Sequence, residues 1–532
     1  MPGCMDERPH RTGLLAVACC AVVAVLTIPS GCMRELPPDA TLVIAQTAEP
    51  RSLDPQVTTA LNDFRICANL YEGLVHYRPG TLEPAPGLAR DWSISDDGRV
   101  YRFSLRPGVR FHDGSPFDAE AVRFNFQRLL DPDHPNHDTG PFPLAFFFEQ
   151  IERIEVLDAL TLRFVLKEPF APFLSNLAYP TGFMVSPAAV RRWGGDFGRH
   201  PSGTGPFRFV DWQAGRRVQL ARFTGYHGDV TATETLIFRP ITDPMTRVAE
   251  LRAGGVDLAF ELSPDNIAAF RRRAGFQVLE ATGPHLWFLI LNSRDGPLAD
   301  VRVRRALNLA IDKQSLVHNV LRDTAEVASG PIPRGFAWAV NPSAATFPYD
   351  PKAARALLTE AGHGDGLVLR FLVPRGGSGM LAPLAMATAI QGDLARVGID
   401  ARIASYEWNA YLARVNSGLD PEADMAAMAW MTNDPDTLPY LALRCDASPA
   451  HGGFNSGYYC NPAVDALIEQ ARRATRRDER ASLYRRLAAL VHQDAPWVII
   501  ASWRQNLVAQ GRVQGLRLEP SFLLPLARVR KQ

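Results

Sequence analysis

From Tyr101 to Pro132 the hydrophobic and polar positions change period once, and the change separates a strand, a turn and a helix. Tyr101, Phe103 and Leu105 alternate with polar neighbours, as the buried face of a strand does. Phe111 leads into His112-Asp113-Gly114-Ser115-Pro116, a turn by composition. Val122, Phe124, Phe126, Leu129 and Leu130 then fall at roughly helical spacing, with Asp118 placed to cap the helix and Asp131-Pro132 to stop it. Thr41-Leu42-Val43-Ile44-Ala45 reads as a strand, and strands dominate residues 76–110. Helical patterns occur at 187–193, 300–321, 351–362, 383–397, 462–475 and 479–493. No internal repeat or low-complexity segment interrupts them. The mixture predicts an α/β protein in two lobes.

At 532 residues the chain exceeds one hydrophobic core, so two or three domains are expected. With 57 basic and 56 acidic residues spread along it, it has no electrostatic footprint for nucleic acid. Arg191-Arg192, Arg271-Arg272-Arg273 and Arg472-Arg473 read as solvated helix faces.

The amino end differs. Residues 13–28 are uncharged and apolar, flanked by Arg8 and Arg11 before and Pro29-Ser30-Gly31-Cys32 after. Such a run, shorter than the roughly 20 residues a bilayer span needs, predicts a secretory signal over 1–31 and an exported remainder. Gly31-Cys32 resembles the junction where lipoprotein signals are cut and the cysteine is acylated, although Pro29 stands where an aliphatic residue is usual.

Catalytic and metal motifs are absent: Ser378 sits in no nucleophile elbow, and no H-E-x-x-H occurs. His134 and His137 lie in a Pro- and Asp-rich stretch that reads as a solvated loop. His112 and Asp113 read as part of a structural turn.

A series of phrases closely resembles the family 5 extracellular solute-binding proteins, the peptide, nickel and opine receptors of bacterial ABC importers. They are Pro50-Arg51-Ser52-Leu53-Asp54-Pro55, Leu70-Tyr71-Glu72-Gly73-Leu74, Phe111-His112-Asp113-Gly114-Ser115-Pro116, Gly203-Thr204-Gly205-Pro206-Phe207 and the run from Asp300 to Asp312. Tyr349-Asp350-Pro351, Asn461-Pro462 and Asp494-Ala495-Pro496-Trp497 complete the order, which extends from about residue 42 to residue 508. The resemblance implies a two-lobed periplasmic binding protein fold, type II-like and of cluster C. Lobe one would comprise 33–75, 201–290 and the return 504–532, with an extra subdomain at 76–200; lobe two would comprise 291–503. Crossings near 287–292 and Trp503 would form the hinge, with the ligand in the cleft between lobes.

In peptide-binding relatives a tryptophan at Trp430 is followed by an acidic residue that pairs with the ligand's ammonium group. Here Asn433 stands at that position and Asp434 is the nearest carboxylate. Either Asp434 takes the role, or the ligand presents no ammonium. Trp408 and Tyr411 resemble the family's E-W-x-x-Y/F phrase and either line the cleft or pack as core. Some relatives carry a cysteine pair at Cys445 and Cys460; a disulfide there closes a loop of ~15 residues, worth roughly 3 kcal/mol. Zinc, which needs four ligands, has only these two in reach. Cys67 reads as a small buried hydrophobe.

The function implied is a monomeric, lipid-anchored receptor in the periplasm or cell envelope that passes a solute to an ABC permease and ATPase, with neither cofactor nor metal. Peptides lead as ligand; nickel chelates, opines and glutathione-like compounds remain alternatives. The rival from another class is an exported hydrolase using Asp434 and Asp436 as acid and base.

Overall fold

The computed structural model describes residues 40–229, 231–341, 346–377, 379–419 and 423–532. The expected leader, the Cys32 anchor and Ser378 lie outside these residues.

One strand, Trp497–Gln510, is long enough at 14 residues to belong to both lobes. Its second half pairs with Leu258–Phe260 and Phe276–Thr282, and its first half with His285–Leu291 and Ala325–Val327. Beyond the former lie Thr41–Gln46, Thr235–Pro240, Arg217–Arg222 and Phe207–Gln213; beyond the latter lie Met425–Met431, Leu367–Pro374 and Ile399–Tyr406. The described residues therefore form a 12-stranded arrangement that one strand divides into two lobes.

The second crossing is the loop between Thr282 and His285, a few residues earlier than expected. Pro284 has no N–H to give a ladder, and a Cβ on Gly283 would stand 2.1 Å from the Phe522 ring, so the strand must break there. Along Trp497–Gln510 the pairing partner changes after Trp503: Trp503 pairs with Ala325, and Arg504 with Thr282.

A separate sheet of Ala89–Ile94, Val100–Leu105, Thr161–Leu166 and Ile151–Asp158 builds the subdomain. Tyr101, Phe103 and Leu105 point into its core, as their alternation predicts. Helix Ala119–Leu130 starts where Asp118 accepts a hydrogen bond from the Ala121 N–H at 2.9 Å and ends before Asp131. Phe126 meets Phe148 and Phe164 edge to face, with ring centres 5.0 and 5.1 Å apart. In lobe two the helical run expected over 300–321 breaks after Val301–Ala310, because the Asp312 side chain accepts from the Ser315 N–H and starts a new turn.

The recurrent phrases are the joints of this scaffold. His112 donates its backbone N–H to Gly203 O at 2.8 Å; its ring lies 3.0 Å from Gly205 O and accepts from Gly203 N–H. Burial pushes that imidazole down to about 4, so at neutral pH it bonds as an uncharged ring. A Cβ on Gly203 would stand 2.2 Å from Leu70 O, so the motifs that contain Leu70, His112 and Gly203 lock together through backbone contact. In lobe two Arg304 donates to Asp494 O at 2.6 Å, Asn308 to Trp497 O at 3.1 Å and Asn461 to the Asp494 carboxylate at 2.7 Å. Asp350 caps Pro351–Glu360 through the N–H groups of Lys352 and Ala353.

Candidate ligand cleft

Three parallel strands of lobe two, Leu367–Pro374, Ile399–Tyr406 and Met425–Met431, end at one edge. Loops at the carboxyl ends of parallel strands are where an open α/β sheet presents ligand contacts. The three loops here begin with Arg375-Gly376-Gly377, Glu407-Trp408 and Thr432-Asn433-Asp434. His285, at the lobe crossing, ties them to the hinge. Its Nε2 lies 2.9 Å from Gly379 O, and its Nδ1 accepts the Trp503 N–H at 3.1 Å. Burial pushes this imidazole down to about 4, which leaves Nδ1 free to accept and Nε2 to donate.

Trp408 is half-buried and lies against Gly377, where a Cβ would stand 2.2 Å from the indole. Tyr411 stacks beneath it, with ring centres 6.0 Å apart. The expectation that Tyr411 lines the cleft is corrected by its burial: it is 0 % exposed, and its hydroxyl donates to Ala427 O. Residues 408 and 411 lie about one turn apart on the same face of helix Trp408–Asn416, so the buried Tyr411 braces the half-buried Trp408 ring above it. Trp430 is half-buried beside Phe454, at 5.2 Å between ring centres, and pairs across the sheet with Leu286.

Asn433 and Asp434 are buried and already engaged. Asn433 donates to the Asn176 side chain at 2.6 Å and accepts from the Thr437 hydroxyl at 2.9 Å. Asp434 Oδ1 receives Arg480 Nη2 at 2.5 Å and the Asp436 N–H at 3.0 Å, while Oδ2 receives the Ser175 hydroxyl at 2.9 Å. Burial opposes the charge of Arg480, but the adjoining carboxylate outweighs it and holds the guanidinium firmly protonated. A ligand ammonium expected at Asp434 therefore meets a cation already in place.

Asp436 pairs with Arg472 at 3.0 Å and leaves Oδ1 without a hydrogen-bond partner. Its carboxyl is pushed up to about 6, burial being the main cause and Arg472 the main opposing one. Arg472 lies over the Tyr440 ring at 3.3 Å. A cavity of about 60 Å³ remains between these groups, Phe170 and Asn176. Both carboxylates are buried and paired with arginines, Asp434 through both oxygens and Asp436 through one.

Ser175 and Asn176, on helix Phe173–Ala178 of the subdomain, thus bond the lobe-two loop across the cleft. Arg480, Ser175, Asn176 and His285 carry no motif, and only their contacts in space reveal them. Cys445 and Cys460 form the expected disulfide, and Cys67 is free and buried. Among the described residues no group of three or more His, Cys, Asp or Glu could hold a metal, and no helix is long and apolar enough to cross a membrane.

Residues 83–451 match the family described as bacterial extracellular solute-binding proteins, family 5 middle. The chain belongs to that family. It is 33% identical over 537 residues to di/tripeptide-binding protein 2 of Pseudomonas aeruginosa (strain UCBPP-PA14), covering 98% of each chain. It is 32% identical over 450 residues, 81% of each chain, to heme-binding protein A of Haemophilus influenzae. Among solved structures it resembles the ABC transporter-associated periplasmic binding protein DppA of Helicobacter pylori in complex with the peptide STSA. That match has a TM-score of 0.79 and 29% identity, covering 92% of this chain and 98% of that one. These relatives bind solutes and are not enzymes, and the two-lobed architecture is the one expected of the family.

Proposed function

We propose that this protein captures a short peptide, a dipeptide or tripeptide, in the periplasm and hands it to an ABC importer. The observation that carries the reading is the identity to a di/tripeptide-binding protein along nearly the whole of both chains. The peptide bound to the Helicobacter pylori protein supports it. Trp408 and Trp430 supply half-buried stacking faces on the lobe-two rim, which suit varied side chains because every one of them has apolar surface to stack. Asn433 and Asp434 close the cleft by bonding Asn176 and Ser175. Acylated Cys32 tethers the receptor beside the permease and ATPase it serves.

The test is calorimetry on protein lacking residues 1–32, stripped of carried-over ligand, with a mixed set of dipeptides and tripeptides and with haemin. Binding of one peptide per protein, with haemin silent, is the expected result. Haemin binding with peptides silent would remove the peptide reading.

A further inference from the structure

The cleft end of the lobe-one sheet carries buried polar side chains with atoms that have no hydrogen-bond partner. Ile44 and Ala45 pair with Leu258 and Ala259, so Gln46 comes level with Phe260, which pairs on its other side with Leu507. Side chains alternate along a strand, so Gln46 shares a face with Leu42 and Ile44, and Gln505 shares one with Leu507 and Ala509. Phe260 belongs to that same face. The Arg65 guanidinium, from helix Leu61–Leu70, lies over the Phe260 ring at 4.0 Å.

These groups are sealed yet unpaired. Gln46 is 1 %, and Arg65 and Gln505 are each 0 %, exposed. Both amide atoms of Gln46, both of Gln505, and Nε and Nη1 of Arg65 lack a hydrogen-bond partner. Buried polar atoms are nearly always paired, so six in one patch need a reason. Arg65 Nη2 meets Glu261 Oε1 at 3.0 Å, and Glu261, at φ 53°, ends its strand in a left-handed turn. That ion pair cancels the charge, and the Glu261 side chain is 31 % exposed, so the patch is neutral and lies next to solvent.

We propose that Gln46, Arg65 and Gln505 form a subsite for the carboxamide of an asparagine or glutamine side chain of the solute. A carboxamide both donates and accepts, as the two glutamines require, and brings no charge against Glu261. This inference rests on the peptide reading above and adds a preference to it.

The test compares alanyl-glutamine and glutaminyl-alanine with alanyl-leucine and leucyl-alanine, on wild-type protein and on the double variant Gln46→Leu/Gln505→Leu. In the wild type one of the glutamine peptides should bind about tenfold or more tighter than its leucine counterpart. In the double variant the ratio should fall to near one. The empty double variant should also melt higher, by about one to a few degrees, since unpaired buried amides are replaced by apolar groups of similar size. Equal affinity for glutamine and leucine peptides in the wild type overturns the subsite and leaves peptide capture standing. A lower melting temperature overturns it too, because the amides would then be held by buried water alone. If none of the four peptides binds, the peptide reading falls and the subsite falls with it.

Discussion

Arg480 Nη2 stands 2.5 Å from Asp434 Oδ1, with the two side chains 9 % and 2 % exposed. A pair so buried is strongly destabilised by removing one member, because the other charge is left in a medium that cannot solvate it. Asp434→Asn should therefore lower folding stability by about 3 kcal/mol or more. It should weaken free and N-acetylated peptides by the same factor, since the change acts on cleft closure. Paired denaturation and calorimetry measure both. A loss confined to peptides with a free amino terminus would show that Asp434 meets the ligand directly.

Asp436 gives the cleft edge a pH dependence. Its carboxyl holds a proton up to about 6 in the folded protein, against an ordinary value of 3.8. A carboxyl with a raised folded pKa favours folding below the unfolded value and loses that contribution as pH rises through the folded one. The melting temperature of the wild type minus that of Asp436→Asn should thus fall between about pH 4 and pH 7 and level off above. A difference that rises over that window would contradict the assignment. Asp63, also pushed up to about 6, is present in both proteins and cancels.

The disulfide predicts a simple count. Denatured, unreduced protein lacking residues 1–32 should show one reactive thiol, Cys67. Three thiols would refute the bridge. Reduction should cost roughly 3 kcal/mol, since the closed loop is short.

The anchor is tested by labelling. Wild-type protein should take up palmitate in cells and fractionate with membranes, and Cys32→Ser should do neither. Cys32→Ser protein that still sediments with membranes would remove the acyl tether.

The fold was largely legible because its signals are local. The Tyr101–Leu105 alternation and the Asp118 cap mark the strand and the helix start found at those positions. The family phrases were legible too, and they prove to be joints: His112 bonds Gly203, and Arg304 bonds Asp494 O. The cleft was less so. Asn433 and Asp434 were singled out from their own segment, but their partners Asn176 and Arg480 lie 257 and 46 residues away. No periodicity links residues so far apart. The motif around Tyr411 leaves cleft lining and core both open because it records neighbours in sequence, and burial puts Tyr411 in the core. Gln46 and Gln505 come to one face of the sheet, on either side of Phe260, only through strand register, which pattern alone does not give.

The claim that this protein captures a peptide and leaves it intact is tested most directly by native mass spectrometry. Protein lacking residues 1–32, mixed with the dipeptides it binds by calorimetry, should carry one peptide per chain. After hours at room temperature, denaturation should release that peptide at unchanged mass. Free amino acids accumulating with time, or a protein that holds no peptide under any loading, would contradict the account.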